Sequence, residues 1–223
     1  MAWYQFRDIQ QGEFFIVFGD TSEGASDYCA VQFLSAKWLD IPIVYHAKVP
    51  ASYMTPLIHD KLNSVSLATG IQPIVAFERN NGGGYEMDRL ERLNREQLYR
   101  IYTMKDIDPT GKLVDTGKLG WNTNAATRPR MLNGLKDALE GRLIHLYHRQ
   151  TVNELFSFIV KSSGRAEAEK NAHDDLVMSL AGAWQLYQTE KAQSERGGGV
   201  VETIHQGSMY KEAGILYAGE EYA

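Results

Sequence analysis

Cysteine is almost absent from this sequence. Cys29 stands alone among 223 residues, so no intrachain disulfide can form and a disulfide-stapled secreted scaffold is excluded. No apolar run approaches the ~20 residues that cross a bilayer, and Met1-Ala2-Trp3-Tyr4-Gln5-Phe6-Arg7 lacks the apolar core of a secretion signal. A reducing, cytosolic setting with no membrane partner is the expectation. No phosphate-binding Gly-x-x-x-x-Gly-Lys-[Ser/Thr] loop is present, for Thr110-Gly111-Lys112-Leu113 does not supply one, and Gly19 and Gly24 do not make a dinucleotide fingerprint. The six histidines have no zinc spacing, since His145 and His148 lack cysteine partners. Positive charge is short as well: 23 Lys+Arg against 28 Asp+Glu leave −5. What remains is ordinary for a folded chain, with 43% hydrophobic and 23% charged residues, and fits one large domain or two small ones.

The charge is unevenly spread. Residues 1–78 hold 4 basic and 8 acidic side chains, 79–142 hold 12 and 9, and 143–223 hold 7 and 11. A basic middle between acidic flanks suits a chain that groups carboxylates in one place and meets a polyanion elsewhere.

The pattern reads as strands first, then alternating elements. Phe14-Phe15-Ile16-Val17-Phe18 is a continuous apolar run, the mark of a buried strand. Runs from Tyr28 to Leu34 and Ile41 to Val49 complete an antiparallel meander. Thr55-Pro56 predicts a helix start, with Leu57, Ile58, Leu62 and Val65 at helical spacing and Gly70 as its end. Ile74-Val75-Ala76-Phe77 is the next buried strand. Asn80 to Gly84 reads as a flexible turn, and a short helix carries Leu90 and Leu93. Leu98 to Met104 reads as a strand, and Asp106 to Gly120 as an exposed hairpin or loop. Pro129 opens a helix with Met131, Leu132, Leu135 and Leu139 at core spacing. Leu143 to Tyr147 reads as a strand, and Thr151 to Glu154 as a capping box. A last helix from near Asn171 carries Leu176, Leu180, Ala183, Trp184 and Tyr187. The expectation is one α/β domain over residues 1–195, a mixed sheet with helices on both faces, and a mobile tail over 196–223.

Acidic residues recur at element ends. Asp20 closes one buried strand, Glu78 closes another, and Asp174 and Asp175 open a buried helix. If the two strands are parallel neighbours, Asp20 and Glu78 lie side by side, where like charges repel and raise each other's pKa. A hard divalent cation with oxygen ligands removes that penalty. Two such ions can activate a water and stabilise the leaving oxygen of a phosphodiester. Each acid alone fits a solvated loop or a helix start equally well. His173 can orient a water or a phosphate, or simply sit at the helix start. Cys29 falls inside a strand and reads as a buried, inert thiol.

These segments resemble the nuclease domain of tailed-bacteriophage terminase large subunits. Gly19-Asp20-Thr21-Ser22-Glu23-Gly24-Ala25-Ser26-Asp27-Tyr28 is similar to the first acidic motif of that family and Ile74 to Gly82 to the second. Gly120-Trp121-Asn122-Thr123-Asn124 with Thr127-Arg128-Pro129 is similar to its middle segment. Glu154-Leu155, Phe158 and His173-Asp174-Asp175-Leu176 to Ala181 are similar to the closing segment and third acidic motif. The matches run in order across residues 13–187.

The resemblance implies an RNase H-like fold with a mixed sheet of five or more strands, the first and fourth of them parallel neighbours. It implies a two-metal endonuclease that cuts concatemeric double-stranded viral DNA during genome packaging, using Mg²⁺ or Mn²⁺ in the host cytoplasm. By motif position Asp20, Glu78 and Asp175 are catalytic metal ligands, Asp174 a ligand or its neighbour, and Asp27 an additional acid on the second metal. Arg79, Lys105, Lys112, Lys118, Arg128 and Arg130 are the candidate DNA phosphate contacts. The family's packaging ATPase has no counterpart here, so the chain is expected to be an isolated nuclease domain, with Met1 added for expression. Portal and small terminase subunit are the implied partners. Two rival readings stand beside this one. The first is another RNase H-like enzyme, a junction resolvase or transposase, against which Trp121-Asn122-Thr123 and the His173-Asp174-Asp175 order argue. The second is a non-catalytic packaging module. Asp106-Ile107-Asp108-Pro109-Thr110-Gly111 superficially resembles a calcium loop but lacks the closing Glu.

Overall fold

A computed structural model describes residues 2–21, 27–80, 82–107, 113–160, 166–168 and 173–195. The expected tail, Lys112 and most of the calcium-like loop lie outside these residues. The apolar run becomes β2 (Phe15–Asp20), at the heart of a seven-stranded mixed sheet. On one side β3 (Cys29–Ser35) and β4 (Asp40–Ala47) follow it in the expected antiparallel meander. On the other, β5 (Ile74–Phe77) pairs with β2 in parallel, and β6 (Arg100–Ile101) pairs with β5 in parallel. Two strands share the outer edge of β4: β1 (Trp3–Gln5), antiparallel, and β9 (His145–Leu146), parallel. β1 was not expected, since three residues carry no readable periodicity.

Side chains alternate between sheet faces, and this divides the core in two. Phe14, Ile16 and Phe18, with Ile74 and Ala76, meet α3 (Thr127–Glu140) and α5 (Asp175–Glu195) through Met131, Leu135, Leu176, Leu180 and Trp184. Phe15, Val17, Val75 and Phe77 meet α1 (Ala51–Thr69) and α2 (Gly83–Leu93) through Met54, Ile58, Leu62, Met87 and Leu90. Each fully buried large apolar side chain contributes roughly 1.5–3 kcal/mol. The expected helices on both faces are therefore present. Cys29 is fully buried, as expected, with its thiol against Val49 O at 3.3 Å.

At Gly182 helix α5 passes close to the sheet: an added Cβ would lie 2.3 Å from ring carbons of the fully buried Phe18. The ring has nowhere to turn. Gly182→Ala is expected to destabilise the fold by about 1–3 kcal/mol, although alanine is the better helix former. A urea midpoint at or above that of the parent would show that α5 can lift off the sheet at little cost.

Several expected boundaries move. Helix α1 starts at Ala51, so Thr55 is an internal residue and does not cap it; its buried hydroxyl sits within hydrogen-bond distance of Ala51 O and Glu86 Oε2. Pro56 then removes the N–H that would bond Ser52 O. Arg89 of α2 replaces it, donating from Nη1 to Ser52 O at 2.6 Å. Asn80 to Gly84 is only partly a turn, because Gly83 and Gly84 already belong to α2. Leu98 to Met104 splits into β6 and β7 (Thr103–Ile107), which leaves the sheet to pair with β8 (Leu113–Leu119) in the expected hairpin. Helix α3 begins two residues before Pro129. Leu143 to Tyr147 shrinks to β9. Helix α4 (Arg149–Phe156) begins ahead of the supposed capping box: Thr151 Oγ1 meets His148 Nδ1 at 3.0 Å, and Glu154 is used elsewhere. β10 (Phe158–Val160) and β11 (Ala166–Ala168) form an unexpected antiparallel pair. Helix α5 starts at Asp175 rather than near Asn171.

Candidate metal centre

Parity along the strands places the first two acids. Phe14, Ile16 and Phe18 face α5, so Asp20 continues that face; Ile74 and Ala76 do the same in β5, so Glu78 follows them. The last register pair is Gly19 with Phe77, and Glu78 N donates to Gly19 O at 2.8 Å. Asp20 and Glu78 thus emerge side by side from parallel strands, directly below the start of α5. Glycine is needed here twice. A Cβ on Gly19 would lie 2.5 Å from the Phe77 ring, and one on Gly83 would lie 1.7 Å from Glu78 O.

The middle segment fastens Glu78. Trp121 forms a parallel bridge with Glu78, its N–H donating to Phe77 O at 2.9 Å and its O accepting from Arg79 N at 2.7 Å. Asn80 Nδ2 donates to Glu78 Oε1 at 2.8 Å and to Thr123 O at 2.7 Å, which ties the carboxylate to that segment. Asn124 Oδ1 accepts from Ala126 N and Thr127 N at 2.8 and 3.0 Å and starts α3. From the first turn of that helix Arg128 Nη2 donates to Asp174 Oδ2 at 2.8 Å.

Asp175, the first residue of α5, is buried, and its Oδ2 has no hydrogen-bond partner. Burial, then the charges of Asp27, Glu154 and Asp174, push its carboxyl up to about 7. Burial, then Glu78, Asp175 and Asp174, hold Asp20 well above the usual carboxylate range, with Arg128 pulling the other way. Asp27, His173 and Asp175 each present a ligand atom, all within 4.8 Å of one another; His173 Nδ1 is 3.6 Å from Asp27 Oδ1 and 3.7 Å from Asp175 Oδ2. Glu154 is buried and accepts from Leu176 N at 2.9 Å, so it caps α5 and not its own helix. Burial raises this carboxyl too, to about 7.

So Asp20, Glu78, Asp174 and Asp175 lie near enough for their charges to act on one another, while among the described residues the acids and histidine whose ligand atoms meet within 4.8 Å are Asp27, His173 and Asp175. A desolvated carboxylate set with an orphaned buried oxygen fits a divalent cation. The basic candidates do not gather in the same way. Arg79 donates to Leu119 O, Lys105 pairs with Asp115 at 2.8 Å, and Arg128 is held by Asp174. Lys118 and Arg130 are exposed. The sequence reading missed the parts played by Asn80 and Glu154. Asn80, two residues after a strand-end acid, was a local signal; Glu154 reaches across 22 residues, and nothing in the sequence marks that.

No protein-family profile matches the chain, and no curated protein matches it in sequence. Solved structures do match. The large terminase nuclease from thermophilic phage G20c with bound magnesium is 16% identical, with a TM-score of 0.58 over 83% of this chain and 87% of that one. The Thermus phage P74-26 large terminase nuclease domain is 16% identical, with a TM-score of 0.58 over 84% and 87%. The manganese-soaked human cytomegalovirus terminase nuclease domain is 11% identical, with a TM-score of 0.52 over 81% and 90%. With β2 and β5 as its parallel central pair, this chain has the RNase H-like fold of the terminase nuclease domains.

Proposed function

We propose that this chain is a metal-dependent endonuclease that hydrolyses phosphodiester bonds of concatemeric double-stranded viral DNA during genome packaging. The observation that carries the reading is that Asp20 and Glu78 end parallel neighbouring strands on the sheet face covered by α5, whose first residue is Asp175, near enough that the charges of Glu78 and Asp175 raise Asp20. Asp20, Glu78 and Asp175 would hold two divalent ions, Mg²⁺ or Mn²⁺, with Asp174 and Asp27 completing the set. Bound there, the ions would supply an activated water and charge stabilisation for the leaving 3′ oxygen. The rest falls to the chain's own residues. Asn80 fixes which oxygen of Glu78 faces the site. Glu154 pins the first turn of α5, and so the position of Asp175. Arg128 holds Asp174 and offsets part of the negative charge. In the host cytoplasm the domain would work beside a packaging ATPase, with portal and small terminase subunit as further partners.

Supercoiled plasmid tests this directly. Nicked and linear products are expected with Mg²⁺ or Mn²⁺ and none with EDTA, and either metal should raise the melting temperature. Cleavage that persists in EDTA would overturn the metal dependence. Absence of both cleavage and thermal shift would remove the reading altogether.

Among the described candidates, exposed Lys118 and Arg130 are the ones that remain to meet DNA phosphates. Each alanine variant is expected to lower the dependence of log K on log salt by about one, uniformly across sequences. Duplex binding in EDTA, titrated with KCl, checks this; an unchanged slope in both would move the DNA path away from the hairpin and α3.

A further inference from the structure

A row of rings crosses the same sheet face as the carboxylates. Tyr147 stacks on Phe6 with centroids 5.7 Å apart, and Phe6 on Tyr4 at 6.4 Å. Tyr4 lies 4.6 Å from His148, which lies 6.5 Å from His46. His46 stacks on Tyr28 at 4.5 Å, and Tyr28 meets His173 edge-on at 5.1 Å. The row therefore ends at the residue 3.7 Å from Asp175. Its outer three rings, Tyr147, Phe6 and Tyr4, are 37–38% exposed, so they do not fill a core. Between them and His173 opens a cavity of about 630 Å³ whose wall includes Tyr4, Tyr28, His46, Lys48 and His173, with Glu154 as its one acid.

Exposed cations stand along the row ahead of the acids at its His173 end. Lys48 is exposed, with Nζ 5.9 Å from the Tyr28 ring centre, and Arg149 is exposed beside Gln150. Asp40, under Tyr147, is bound by Arg7 at 2.7 Å. The spacing discriminates between kinds of nucleic acid. Ring centres 5.7 and 6.4 Å apart exceed the ~3.4 Å rise of a duplex strand. Aromatic rings interleaved with cations are how proteins hold unpaired strands without reading sequence.

We propose that this row is a stacking track for single-stranded DNA, on which unpaired bases lie against Tyr147, Phe6 and Tyr4 while one nucleotide enters the cavity beside Tyr28 and His46 and its phosphate meets Lys48. Resting on the nuclease reading, the track delivers one strand to the metal centre already unpaired, so forked DNA is cut in preference to blunt duplex.

Fluorescence anisotropy of the whole chain with a labelled 15-nucleotide oligo(dT), in EDTA, tests the track apart from cleavage. The single strand is expected to bind more tightly than a duplex of equal length at equal salt. Tyr4→Ala and Phe6→Ala should each weaken that binding about tenfold, Tyr4→Phe should keep it, and Lys48→Glu should weaken it without any change in the aromatic packing. Binding indifferent to these changes in variants that melt like the parent, or duplex bound as tightly as single strand, would overturn the track. Displacement by thymidine 5′-monophosphate at equal nucleotide concentration would assign the rings to a free nucleotide and likewise overturn it. Loss of plasmid cleavage with strand binding intact would fall on the nuclease reading and leave the track standing.

Discussion

Asp20→Asn is expected to reduce plasmid cleavage in Mg²⁺ or Mn²⁺ by about a thousandfold or more, roughly 4 kcal/mol of barrier. The same substitution is expected to stabilise the metal-free protein. Asp20 sits among Glu78, Asp175 and Asp174, and its carboxyl is raised well above the usual range by burial and by those charges. A carboxyl raised on folding destabilises the fold at every pH above its unfolded range. The penalty is therefore present at neutral pH and vanishes below about pH 4, where the group is protonated in both states. The neutral amide escapes it while keeping the shape. The variant should melt above the parent in EDTA at pH 7.5, the two should converge at pH 3.5, and the metal-induced rise in melting temperature should shrink. Opposite signs for activity and stability separate a functional acid from a structural one. A variant that melts lower in EDTA, or that cuts at the parental rate, would take Asp20 out of the centre.

Arg7→Met should produce the largest loss of stability. Arg7 grips Asp40 with two bonds of 2.7 and 2.8 Å and Glu13 with two of 2.9 and 3.2 Å. The Glu13 side chain is 0% exposed and that of Asp40 4%. Removing the guanidinium leaves two carboxylates buried without their counterion, which costs about 3–5 kcal/mol and should lower the melting temperature by roughly 10 °C in a chain of this size. The exposed pair Lys136–Glu140, 3.7 Å apart, is the internal control, and Lys136→Ala should change stability by less than about 0.5 kcal/mol. Replacing all three partners at once, as Arg7→Met with Glu13→Gln and Asp40→Asn, should recover most of the loss, because no bare charge remains. Failure of the triple variant to recover would mean that the network acts through shape and hydrogen bonding, not through charge.

This network also marks a limit of reading a sequence. Arg7, Glu13 and Asp40 are ordinary polar letters, and nothing local says that the two acids will be buried against the arginine. The same holds for Glu154, whose Thr-x-x-Glu spacing matches a capping box while its carboxylate spans 22 residues to Leu176 N. Thr55-Pro56 fails for a related reason. Its pattern fits a helix start, but Arg89 arrives from α2 to satisfy the carbonyl that Pro56 leaves bare, so the helix runs through. Arg79, Lys105 and Arg128 look like DNA contacts when read singly and are engaged within the protein once folded.

The central strands, the faces of the helices and the three places where an acid ends or begins a buried element are legible in the residues. Those are local signals, set by side-chain periodicity and by a sharp change from apolar to charged. The parallel pairing of β2 and β5 was reachable only through the family resemblance, and it took the tertiary structure to show that Asp20 and Glu78 lie on the sheet face that α5 covers and that Tyr4 to His173 line up beyond them. Contacts between residues far apart in the chain form only because burying both apolar faces of one sheet outweighs the entropy of bringing them together, and no window of the sequence contains that sum.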